Sequence, residues 1–381
     1  MTRSGIENVG DHQPNKTYLL TQDVGDKFQA FRYVRGGYEV PEAHDSFFTD
    51  IQKELAALIR NILKDDIVHV ISMRDLSADI LARAKKISDL INQECLIVST
   101  CLEIAAPQAG QVLEVNRMVD FNGNFIGIGP RAGQMPLPHQ IRSIIRVANN
   151  RPIIIVEDGS FTGITINRLV SIFDQEIKRL NTEANGQTKT IIQAIVLGFA
   201  FPDAFKKIKE VFRGELSIID NYEDLDDWMP DHDFIPFTPN YGRALGLIAN
   251  DNPYPFYNQE GSPFSIPYIF PYLTMEKFKE WTGFRDASTY DLCIFGQSCI
   301  EMAERIFRRI NELNNTNLTL GDIRGCYPRS AIPFYLPRQQ GETGFRVAPP
   351  DTLILNHNTA IIDLLAEAKG IIRMQIGYEK S

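Results

Sequence analysis

Residues 153–165 read Ile-Ile-Ile-Val-Glu-Asp-Gly-Ser-Phe-Thr-Gly-Ile-Thr, and the residue types best suited to chemistry are concentrated there. Two adjacent carboxylates, Glu157 and Asp158, are followed by a turn rich in Gly, Ser and Thr. Such a turn, opening into a helix, offers several backbone N–H groups and a helix amino end to one phosphate. The alternative is a structural strand-to-helix turn with an exposed acidic pair. Elsewhere the chemistry is sparse. Six histidines (His12, His44, His69, His139, His232 and His357) are scattered and form no His-Glu-x-x-His. There is no Gly-x-Ser-x-Gly elbow and no Walker loop. Asp231-His232-Asp233 can be read as a cation site or as a solvated acidic loop. Trp228, Tyr222 and Phe161 can stack on a base or serve as core or rim.

The elements around residues 153–165 follow from hydrophobic spacing. Ile153–Val156 is a short branched apolar run suited to a strand buried on both faces, with the acidic pair at its carboxyl end. Ile166, Leu169, Val170, Phe173, Ile177 and Leu180 form one apolar face of the helix that follows. Further strands are expected at 67–73, 95–99, 191–199 and 216–219, with helices between them, and 67–99 reads as one βαβ unit. The pattern predicts an α/β fold with a doubly wound parallel sheet. Residues 112–119 and 124–128 flank Asn122-Gly123 and predict a hairpin. Gly127, Gly129 and Gly133 do not make a dinucleotide fingerprint, because Pro136 and Pro138 stand where a helix should open. Three segments result: 1–45, an extension lying on the core and including strand-like runs at 18–20 and 28–34; 46–230, the α/β core; and 231–381, a C-terminal extension. That last segment is rich in Pro and aromatics before turning helical, with helices expected at 298–311 and 359–369. Its Pro/aromatic arms either pack on a neighbouring surface or dock a partner chain.

The stretch at 153–165 resembles the phosphoribosyl-pyrophosphate (PRPP) signature of the type I phosphoribosyltransferases: apolar run, Glu/Asp-Asp, variable residues, then Thr/Ser-Gly-x-Thr. The resemblance covers about residues 60–225. It implies that Glu157 and Asp158 hold the ribose 2′- and 3′-hydroxyls, and that Thr162, Gly163, Ile164 and Thr165 bind the 5′-phosphate. Gly159 and Ser160 stand where apolar residues are usual, and Phe161 where a small one is usual. The family places a pyrophosphate-binding loop after its first core strand, and Ser72-Met73-Arg74-Asp75-Leu76-Ser77 occupies that place. There Arg74 would pair with the diphosphate, while the anion Asp75 would oppose it unless neutralised. The other reading makes Arg74 and Asp75 a surface pair capping a helix. The family's flexible hairpin corresponds to residues 112–133, with Arg117 and Arg131 as phosphate-facing residues. The implied activity is binding of Mg²⁺–PRPP and transfer of phosphoribosyl to a nucleobase-like nitrogen acceptor, with pyrophosphate released.

Composition bounds the remaining classes. A chain of 381 residues with 44% hydrophobic and 23% charged residues suits a globular protein. A net charge of −9 argues against direct nucleic-acid binding, except through a partner. No apolar run is long enough to span a membrane, and the polar N-terminus lacks a signal-peptide core. Five cysteines without a Cys-x-x-Cys pair suggest a reduced cytoplasmic protein with no structural zinc. A second class competes: a phosphoribosyltransferase-like sensor or effector in a homodimer or hetero-assembly. Its motives are the departures in both loops and the long C-terminal segment. Its layout resembles that of effectors accompanying bacterial antiphage cassettes, retrons among them.

Overall fold

The computed structural model describes residues 16–33, 37–64, 66–101, 104, 111–119, 125–130, 135–183, 189–220, 222, 224–239, 256–257, 263–264, 278–279, 282–319, 322, 335–337, 345–347 and 358–379. The fold is α/β and is built on two all-parallel sheets.

The larger sheet grows around the branched run. Strands β1 (Thr17–Gln22) and β2 (Ile67–Ser72) belong elsewhere; β3 (Leu96–Ser99) and β4 (Gln111–Val112) begin this one. A separate antiparallel hairpin follows, β5 (Val115–Val119) with β6 (Phe125–Pro130), close to the expected bounds. Its turn and Arg131 lie outside the described residues. The sheet is completed by β7 (Ile153–Ser160), β8 (Ile192–Ala200) and β9 (Glu215–Ile218), in the order β4-β3-β7-β8-β9. Its first strand has neighbours on both sides, as in a doubly wound sheet.

Alternation along β7 serves two cores at once. Ile153 and Ile155 pack against helices α4 (Leu137–Ala148) and α5 (Ile164–Glu183) through Ile141, Ile144, Leu169 and Phe173. Ile154 and Val156 face helix α3 (Met73–Leu90), meeting Met73, Leu76 and Ile80. Leu19 and Trp228 join that second core.

These last two residues come from the smaller sheet, ordered β10-β1-β2, where β10 is Leu225–Pro230. Leu19 looks inward toward α3, whereas Tyr18 and Leu20 look outward. The outer layer comprises helices α1 (Val24–Phe28) and α2 (Ser46–Leu63), the long helix Thr289–Asn314 and the terminal helix Ile361–Glu379.

Several expectations need correction here. The N-terminal segment does not merely lie on the core, because β1 is the middle strand of the smaller sheet. Residues 28–34 are not a strand: α1 passes into a 3-10 turn, Gln29–Tyr33. The 67–99 unit does not sit in one sheet, since β2 pairs with β1 while β3 pairs with β7 and β4. The helices expected at 298–311 and 359–369 are both longer.

Candidate functional site

At the carboxyl end of the larger sheet, β7 leads through a short bend into α5. The strand is longer than its sequence suggests. Glu157 pairs with Leu197, Gly159 with Phe199 and Ser160 with Ala200, so the acidic pair lies within the ladder and not at its end. The reason is that β8 continues to Ala200 and keeps a partner alongside β7 to its last residue. Alternation then assigns Glu157 to the α4/α5 side with Ile155, and Asp158 to the α3 side with Val156. Both are partly exposed, and Asp158 Oδ1 accepts the N–H of Gly159 at 2.7 Å. Gly159 is a packing residue, because a Cβ there would meet the Phe199 ring at 2.2 Å.

The bend is Phe161-Thr162-Gly163. Gly163 has φ +72°, and a Cβ there would come within 2.9 Å of the Ala204 carbonyl on α6 (Pro202–Val211). Only glycine fits both demands cheaply. Thr162 and Ile164 are exposed, Thr165 partly so, and Ser160 is buried. The first turn of α5 therefore opens beside the acidic pair. Phe161 does not face open solvent: its ring stacks on Phe201 at 4.7 Å and on Trp228 at 5.2 Å.

The proposed pyrophosphate loop is not a loop. Helix α3 begins at Met73, directly after β2, and Ser72 is its N-cap, its hydroxyl accepting the N–H of Asp75 at 3.3 Å. Arg74 and Asp75 are exposed in the first helical turn. Asp75 thus sits where a carboxylate favours the positive end of the helix dipole, as the capping alternative has it. The side chain of Arg117, in β5, and all of Arg131 are outside the described residues.

Sequence reasoning singled out a triplet but missed its partners in a second cluster, at the carboxyl end of the smaller sheet. Asp231-His232-Asp233, read as a cation site or a solvated acidic loop, is buried in a 3-10 turn with exposures of 0%, 6% and 9%. Asp231 Oδ1 accepts the N–H groups of Asp23 and Val24 at 2.9 and 3.0 Å, and Gln52 Nε2 donates to its Oδ2 at 2.9 Å. His232 bridges Asp23 Oδ1 at 2.5 Å and Asp233 Oδ1 at 3.0 Å, while Lys27 Nζ lies 3.4 Å from Asp23 Oδ2. Burial disfavours the imidazolium, but Asp23 and Asp233 outweigh it and raise His232 to about 9. Burial likewise opposes ionisation of Asp23, yet His232 and Lys27 hold it at about 2. Burial and the neighbouring Asp23 push Asp231 well above the carboxylate range. His232 and Lys27 thus lie against Asp23, and His232 also against Asp233, inside one buried cluster. The signal available in sequence was the Asp-His-Asp triplet itself; its burial depends on β1, which lies some two hundred residues earlier.

Ligand atoms of Asp23, Asp231 and His232 lie within 4.8 Å of one another. Mg²⁺ fits this cluster poorly, because it would have to displace Lys27 and the imidazole proton. Glu157 and Asp158 are partly exposed, but they lie on opposite faces of β7 and Glu157 Oε2 is buried, so the two do not converge on one hard cation.

The class that fold and site define is an α/β protein with two parallel sheets, one of which has an open strand-to-helix bend flanked by an acidic pair. No family model matches the chain, and no curated protein matches it. Among solved structures, the chain is similar to TT1426 from Thermus thermophilus. Identity is 18% and the TM-score 0.25, covering 40% of this chain and 86% of that one. At that TM-score the likeness assigns neither fold nor activity. Among the described residues, no helix is long and apolar enough to cross a membrane.

Proposed function

We propose that the protein binds Mg²⁺–PRPP at the end of β7 and, as a transferase, moves its phosphoribosyl group to a nucleobase-like nitrogen acceptor. The observation that supports this is Gly163 at φ +72°, which turns the chain straight from the Glu157/Asp158 strand into α5. In this reading the first amides of α5 hold the 5′-phosphate, with Thr162 and Thr165 beside them. Glu157 and Asp158 are the residues assigned to the ribose hydroxyls, and the metal would enter on the diphosphate of PRPP. The ion supplies charge neutralisation for the diphosphate. Orientation and leaving-group stabilisation are the whole of the catalytic task.

A second reading, a PRPP or nucleotide sensor acting in an assembly, has one observation in its favour. Ser72 caps α3 at the very end of β2, so no loop is present there to wrap a departing diphosphate. In this second reading the protein binds PRPP without rapid transfer.

Calorimetry with PRPP and Mg²⁺ tests the common claim. Wild-type protein should bind, and Asp158→Asn should bind about tenfold more weakly with an unchanged unfolding midpoint. Equal affinities, or no wild-type binding at millimolar PRPP, would remove it. Pyrophosphate release across a panel of nucleobases then separates transferase from sensor.

A further inference from the structure

We propose that Trp228, a residue of the smaller sheet, is the positioning residue of the β7–α5 bend and acts on it through the ring of Phe161. The inference deepens the reading above and relies on it only for the ligand used as probe.

The geometry gives one indole two grips on the larger sheet. The first is on the bend itself, because Phe161 lies nearly parallel between Phe201 and Trp228, tilted by 23° and 28°. The second is on the strand before it. Phe199 meets Trp228 edge-on, with ring centroids 4.5 Å apart, and the same Phe199 ring fills the space above Gly159. Trp228 therefore supports both the residue after the acidic pair and the ring that starts the bend. Its own orientation is fixed: the indole Nε1–H donates to Thr21 Oγ1 at 3.1 Å, and its backbone N–H donates to Asp227 Oδ1 at 2.9 Å. Thr21 is fully buried and Trp228 is 8% exposed, so water does not readily replace either partner.

The bend is held at its ends, where the Ser160 carbonyl accepts the Phe201 N–H and the Gly163 carbonyl the Asn167 N–H, each at 3.0 Å, but the bond inside it is long. The Ile164 N–H reaches Thr162 Oγ1 only at 3.4 Å, at the long limit of such a bond. Stacked and edge-on rings, each contributing beyond the area they bury, restrain the span between those two bonds. Phe161 is also where the PRPP signature usually has a small residue. An anion that settles on the amides of Thr162–Thr165 must accept the spacing that Phe161 imposes, and Trp228 sets that spacing from the other sheet.

Two measurements test this, one of them without ligand. In the free protein, Trp228→Leu should speed hydrogen exchange of the amides of residues 161–166 about tenfold while leaving α2 unchanged. Trp228→Phe, which keeps a ring under Phe161, should restore most of the protection and covers the case in which the leucine variant folds poorly. Unaltered exchange in the bend of either folded variant, relative to wild type, overturns the proposal whatever the ligand proves to be.

The second measurement uses ribose 5-phosphate. The chain has two tryptophans, Trp228 and Trp281, so Trp281→Phe leaves Trp228 as the sole emitter. Ribose 5-phosphate should shift its emission, and adding Phe161→Ala should abolish the shift and weaken binding about tenfold. A tryptophan with a merely structural role would not respond. Binding seen by calorimetry with no emission change counts against the coupling. Absence of binding at millimolar ribose 5-phosphate counts against the functional reading instead, and the exchange experiment still decides the role of Trp228.

Discussion

The two parallel sheets end differently, although each carries a helix amino end at the carboxyl edge of its strands, where α/β proteins commonly hold ligands. At the smaller sheet the amino end of α1 is already taken by a carboxyl of the protein's own: Asp231 accepts the N–H groups of Asp23 and Val24. Lys27 and His232 pair with the adjacent Asp23, and Asp233 with His232, and all of them are buried. At the larger sheet, Thr162 and Ile164 at the amino end of α5 are exposed, and the nearby acids are partly exposed. A helix amino end attracts an anion in either place. Whether the fold fills that seat with its own side chain decides whether the end serves stability or binding.

The contrast can be broken most directly at the closed end. Asp231→Ala would leave two backbone donors and the Gln52 amide without their acceptor, beside a buried Asp23. The expected loss is about 3 kcal/mol or more in urea unfolding. A loss below about 1 kcal/mol would mean that the cluster is not closed. Asp158→Asn at the open end should leave the same midpoint within about 0.5 kcal/mol.

A smaller effect is expected from pH. His232 rises to about 9 from an ordinary 6.5, so its stabilisation is complete below pH 6.5 and is lost as pH climbs through 9. Asp23 is lowered to about 2 from 3.8, so its contribution holds above pH 3.8 and fades as pH falls toward 2. The contribution of these two groups to thermal stability should therefore be flat between those limits, with a decline above pH 7 of order 2 kcal/mol by about pH 10. A His232→Gln protein should lack the alkaline decline. If both proteins decline alike, His232 is not the group responsible.

The smallest effect belongs to Asp75. Because it is exposed in the first turn of α3, Asp75→Ala should cost no more than about 1 kcal/mol and leave pyrophosphate release unchanged. Clearly faster release would show that Asp75 faces the ligand after all, and that the open end extends to β2.

Much of this architecture was legible residue by residue. The run Ile153–Val156 announced a strand buried on both faces, and the spacing of Ile166, Leu169, Val170 and Phe173 announced α5, whose inward face carries all four. Gly163 announced a turn, since a left-handed backbone favours glycine. These features are local: side-chain periodicity and backbone sterics act over a few residues, so sequence alone determined them. What lay beyond it was non-local. Ser72 through Ser77 became a helix end and not a loop, because β2 found its partner in β1 and α3 packed inward at once. Glu157 and Asp158 stayed within the ladder because β8 runs on to Ala200. Asp231, His232 and Asp233 look like solvated charges on paper. Only the approach of Asp23, Lys27 and Gln52 from distant parts of the chain buried them with partners, and a charge can leave water only when the fold supplies those partners.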